Sequence, residues 1–125
     1  MKKLRNLQII SKLVVIKLLR TIVLLMRNFI ANFVRILGIC KDFAGNRVNE
    51  LGNVPRCGVV PKFSDLEVIA LGFTAEAFHF DSENYLFYRL HHECMDDLPN
   101  LISRRQFNAR RKLTARLAEE IRREV

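Results

Sequence analysis

Arg104, Arg105, Asn108, Arg111, Lys112 and Arg116 carry the clearest chemistry in the chain. Guanidinium groups present planar forks of donors that match phosphate oxygens and guanine edges, and a carboxamide such as that of Asn108 pairs with adenine. On a helix, Arg104, Arg105, Asn108, Lys112 and Arg116 share one side with Arg123, and Phe107, Leu113, Leu117, Ile121 and Val125 share the other. One face then suits a polyanion and the other a core. The competing reading is a charged face that meets only water. Arg110 falls inside the apolar arc, where it must snorkel, pair with an acid of the middle segment or mark a bend.

The remaining reactive side chains do not assemble into a site. Asp65, Glu67, Asp81 and Glu83 fall in the first turns of expected helices, where capping and the helix dipole account for them. Asp96 and Asp97 lie in a connection ahead of Pro99. A metal-dependent nuclease needs two or three carboxylates that converge on the ion, and this spacing supplies no such set. His79, His91, His92, Cys57 and Cys94 show no Cys-x-x-Cys pair or other short fixed spacing of zinc ligands. There is no glycine-rich phosphate loop and no nucleophile beside a base. The sequence therefore predicts no catalytic residue, no metal, no cofactor and no small-molecule substrate.

Helices must position the basic face, and the sequence marks their starts. Ser64 is followed three residues later by Glu67, and Ser103 by Gln106, which are capping boxes. Asp81-Ser82-Glu83 offers cap oxygens and a first-turn carboxylate between them. The expected helices run over residues 65–78, 83–93 and 104–123. Three such helices with a basic third member predict a helix-turn-helix-like bundle over residues 63–125. Leu66, Ile69, Ala70, Phe73 and Ala77 share one face of the first, and Phe73 at its centre is expected to be buried against the last helix. Val68, Leu71 and Phe78 lie off that face, so this helix is expected to be covered on two sides.

Residues 44–62 read as a loop, dense in Gly, Asn and Pro. Residues 1–43 contain no Pro and read as an amphipathic helical arm, one long helix or two shorter ones, with Arg5, Lys12, Lys17, Arg20, Arg27 and Arg35 along one side. The fold class is all-α. Lys12, Lys17, Arg20 and Arg27 interrupt every apolar window long enough to cross a bilayer, and no small-residue cleavage site follows the basic start.

Charge is unevenly spread along the 125 residues, whose net charge is +8. Residues 1–41 hold nine Lys/Arg and no acid, residues 42–103 have a net charge of −6, and residues 104–125 have +5. Two basic ends around an acidic middle point to polyanion contacts at the ends. Three widely spaced cysteines, Cys40, Cys57 and Cys94, argue against a disulfide framework and for a reducing, cytoplasmic compartment.

Three ordered motifs carry a resemblance. Gly58-Val59-Val60-Pro61-Lys62-Phe63-Ser64-Asp65-Leu66-Glu67-Val68-Ile69, then Asp81-Ser82-Glu83-Asn84-Tyr85-Leu86-Phe87, then the run from Leu98-Pro99-Asn100 to Arg111-Lys112-Leu113 look like the N-terminal region of DDE-type transposases of bacterial insertion sequences. The resemblance extends from about Phe33 to the end and weakens over residues 1–25, so a natural start lies near Met26. In that family a helical segment precedes an RNase H-like domain whose two Asp and one Glu bind divalent metal and cut DNA at the element's ends. The matched motifs are the upstream ones, and none of the acids present takes the catalytic role. The resemblance implies a truncated transposase, not itself an enzyme, that binds the terminal inverted repeats through Arg104, Arg105, Asn108, Arg111, Lys112 and Arg116, with a homo-oligomer as a further expectation. Two rivals stand beside it: a helical interaction or dimerisation module without DNA contact, and a basic protein lying on a membrane surface.

Overall fold

The computed structural model describes residues 25–124. Every long regular element among them is an α-helix, so the all-α expectation holds. Residues 25–44 form the described part of α1, which runs into a short 3-10 turn at Gly45–Arg47; α2 is Asp65–Ala77, α3 Glu83–Glu93, α4 Arg104–Leu113 and α5 Ala115–Glu124. The remainder of the expected N-terminal helix, residues 1–24, lies outside the described residues, as does Val125.

Each predicted cap forms. Ser64 Oγ accepts the Glu67 N–H at 3.1 Å while Glu67 Oε1 accepts the Ser64 N–H, and Ser103 and Gln106 repeat the exchange at the start of α4. Ser82 Oγ accepts the Tyr85 N–H at 3.2 Å. These bonds satisfy donors that the first helical turn otherwise leaves open. The other end of α2 closes with crossed bonds, from the His79 N–H to Glu76 O and from the Phe80 N–H to Ala75 O. This Schellman pattern places His79 at φ 56°, a left-handed position that glycine occupies without a Cβ clash. His79→Gly is expected to raise stability by about 0.5 kcal/mol, the αL relief less the glycine's entropy. Urea unfolding would check it, and a loss of stability would contradict the strain.

Met26, Phe29, Phe33, Cys40 and Ala44 recur at helical spacing on α1 and are buried in the same core as Leu66, Val68, Leu71, Leu86, Leu90, Phe107 and Ile121. The described part of the sequence's arm is therefore part of the core. Phe29 packs edge-on against Phe78 and Phe80, each with ring centroids 5.5 Å away. Arg27 and Arg35 stay exposed on the opposite side. Helix α2 is covered on more than one side, as its off-face residues suggest. Phe73 does meet the last helix, but it is only half-buried: the Arg122 guanidinium lies over its ring at 5.1 Å. The enclosed part of α2 is its N-terminal two turns, where Leu66, Val68, Ile69, Ala70 and Leu71 are buried, and Ala77 is exposed.

One further expectation is corrected. The last helix is not continuous from Arg104 to Arg123 but breaks at Thr114. The buried Thr114 hydroxyl donates back to Arg110 O at 3.0 Å, a local bond that competes with the helical ladder and bends it. The connection from α3 to α4 spans residues 94–103, in keeping with the expected helix bounds. Helix α4 packs against α2 and α3 and leads across Thr114 into α5. Pro99 and the turns closed by the Asp97, Leu98 and Leu101 N–H groups occupy the connection.

Candidate nucleic-acid interface

Helix α4 is held in place chiefly through Asp65, the first residue of α2. Its carboxylate is 1% exposed and accepts from the Val54 N–H at 2.9 Å, from Arg110 at 2.7 Å and from Arg56. Arg110 also donates to Phe63 O. Asn53, itself buried, accepts the Asp65 N–H at 3.0 Å and donates to Pro61 O at 3.2 Å, so the segment 53–63 is tied to both helices. Gly52, at φ 84°, lets its carbonyl accept the Leu66 N–H at 3.1 Å; a Cβ there would lie 3.2 Å from Ser64 Oγ. Burial alone pushes the Asp65 carboxyl up, but hydrogen bonds from Arg110, the Val54 N–H and Arg56, with the Arg56 charge, outweigh it and hold the group below the usual carboxylate range.

Of the three fates open to Arg110, pairing with an acid is the one observed, and the bend falls four residues later at Thr114. Its side chain is only 15% exposed and unavailable to an external phosphate. The predicted contact residues divide by what they already touch. Arg104, Arg105 and Lys112 are exposed and form no ion pair among the described residues. Arg111 pairs with Glu83 of α3 at 3.0 Å and lies over the Phe107 ring. Arg116, beyond the break, reaches Glu120 at 3.6 Å, and Asn108 is half-buried. Arg122 and Arg123 pair with Glu76 and Glu119. Along α4 and α5 the unpaired positive charge therefore lies on the outer face of α4, while Arg27, Arg35 and Lys41 on α1 and Lys62 before α2 are also exposed without an ion pair among the described residues.

Of the three free cysteines, Cys57 is exposed, and Cys40 and Cys94 are buried. Burial pushes the Cys40 thiol up to about 11. Cys94 is raised by burial, then by the charges of Asp97 and Glu93, against a lowering by Arg89. Both thiols are protonated at neutral pH and unreactive. Among the described residues no three His, Cys, Asp or Glu side chains are grouped to hold a metal ion, and no helix is long and apolar enough to cross a membrane.

Sequence reasoning missed the Asp65 cluster as an organising unit. The signal was present in Arg110, a charge inside an apolar arc that demands a buried partner. Nothing in the sequence indicated which acid that would be. No protein-family model, curated protein or solved structure matches the chain.

Proposed function

We propose that the chain is a non-catalytic DNA-binding module and that the outer face of α4 is its phosphate-contact surface. The observation that carries this reading is the set of Arg104, Arg105 and Lys112: exposed, without acidic partners among the described residues, and set on a helix packed against α2 and α3. Unneutralised cations on a held helix attract a polyanion without first having to break an ion pair within the protein. Asn108 is half-buried in the same arc and is the residue suited to a base edge. Arg111 and Arg116 contribute less because Glu83 and Glu120 already hold them. On the sequence resemblance, the module corresponds to the N-terminal segment of an insertion-sequence transposase acting in the cytoplasm on the element's terminal repeats.

Salt titration of duplex binding tests the reading. Each neutralised phosphate contributes about −0.9 to the slope of log K against log salt. Replacing Arg104, Arg105 and Lys112 together with alanine is expected to reduce the slope of the full chain by about 2.7, three contacts' worth. Comparing variants within the full chain cancels whatever residues 1–24 contribute. Asn108→Ala should lower preference among sequences while leaving the slope unchanged. A triple variant with the parent's slope would remove α4 from the interface and favour a packing module.

A further inference from the structure

Beside the outer face of α4 lies an open cleft of about 320 Å³, formed where residues 61–63 and 100–102 approach the helix. Its lining is mostly apolar, with Pro61, Phe63, Ile102 and Ala109, and Lys62, Asn100, Gln106 and Arg110 are the polar residues among it. The volume is at the small end of the range for ligand clefts, about 300–1,000 Å³.

The polar groups are unevenly satisfied. Gln106 Oε1 accepts the Ser103 N–H at 3.0 Å, which fixes the carboxamide and leaves its Nε2 donors without a partner among the described residues. Asn100 makes no side-chain hydrogen bond among the described residues, and Lys62 is exposed with no ion pair among them. Arg110 Nε is buried and has no acceptor, although the rest of its head group is engaged by Phe63 O and Asp65. The cleft thus offers an apolar slot, carboxamide groups that pair with amide-like edges, and a free cation in its lining. Arg105 stands one helical turn before Ala109, on the same strip of α4.

We infer that this cleft receives an unpaired nucleobase of the DNA whose phosphates Arg104, Arg105 and Lys112 hold, an inference that rests on the DNA-binding reading. A flat base covers the apolar lining, and its ring nitrogens and exocyclic groups meet Gln106 and Asn100. Lys62 in the lining and Arg105, one turn before Ala109, are the cations available to the flanking phosphates. A base stacked in a duplex cannot enter a slot between a helix and a loop without leaving the stack, which costs energy that a bulged or single-stranded base has already given up. The neighbouring groove at Leu113, about 250 Å³, does not share these features: Glu120 already holds its Arg47 and Arg116.

The full chain would be titrated at one salt concentration with a perfect duplex and with the same duplex carrying one bulged fluorescent adenine analogue. The bulged DNA is expected to bind roughly fivefold or more tightly, the discrimination of one good base contact, with a change in the analogue's fluorescence. Ala109→Phe fills the slot from an exposed helical position and should abolish the preference while leaving the salt slope on perfect duplex at the parent's value. Asn100→Ala, in the exposed connection, should reduce the preference without touching the core. Equal binding of the two DNAs, or a preference that survives Ala109→Phe, overturns the cleft assignment and leaves the phosphate face standing. Failure to bind either DNA overturns the DNA reading together with it.

Discussion

Asp65→Asn is expected to cost about 3–5 kcal/mol, the usual consequence of removing one member of a buried ion cluster. The substitution removes the charge while leaving Arg110, whose side chain is 15% exposed, and Arg56, at 35%, facing a neutral amide. It also weakens the acceptor for the Val54 N–H, so the loss spreads into the segment that frames the cleft. Against a typical stability of roughly 5–15 kcal/mol, such a loss is a large fraction of the total and populates the unfolded chain where the starting value lies near the lower end. Urea unfolding followed by circular dichroism measures it, and a loss below about 1 kcal/mol would show that the cluster contributes little. The same group sets a pH dependence. Its carboxyl in the folded protein is held below its unfolded value near 3.9, so the unfolded chain takes up the proton first. The stabilisation is fully present above that unfolded value and is lost as pH falls through the folded one. Wild-type stability should therefore decline below about pH 4, and the part due to this residue should be missing from Asp65→Asn.

Phe29→Ala is expected to destabilise the protein by about 3–5 kcal/mol, the range for deleting a fully buried aromatic ring. Phe29 is 0% exposed and joins α1 to the Phe78 and Phe80 rings at the end of α2. The cavity would lie between two helices and a closed Schellman turn, where collapse is restricted. Phe73→Ala is the internal comparison. Its ring is half-exposed beneath Arg122, so its removal should cost under about 2 kcal/mol, a partial transfer term with a cation–π contact of up to about 1 kcal/mol. Paired urea titrations of the two variants decide the matter. A Phe73 loss equal to or above that of Phe29 would mean that α1 is not an integral part of the core.

The sequence by itself determined where α2, α3 and α4 begin, because capping bonds join residues three apart and the chain guarantees their proximity: Ser64 with Glu67, Ser82 with Tyr85, Ser103 with Gln106. It also determined the all-α class and the outward face of α4, since both follow from a period of 3.6 residues. The break at Thr114 was only half legible: a hydroxyl four residues after Arg110 permits the bend, but burial against the core decides that it happens. Three features belong to the tertiary structure alone. Arg110 turns inward because Asp65, 45 residues away, is placed beneath it. Arg111 loses its freedom to Glu83 while Arg104, Arg105 and Lys112 keep theirs, because α3 crosses near only one side of α4. Residues 26–44 join the core because Phe29 meets Phe78 and Phe80 at the end of α2, and Phe73 stays half-buried with the Arg122 guanidinium of α5 over its ring. In each case the deciding partner is distant in sequence, and a pattern of neighbours specifies which side of a helix is apolar but not which element will cover it.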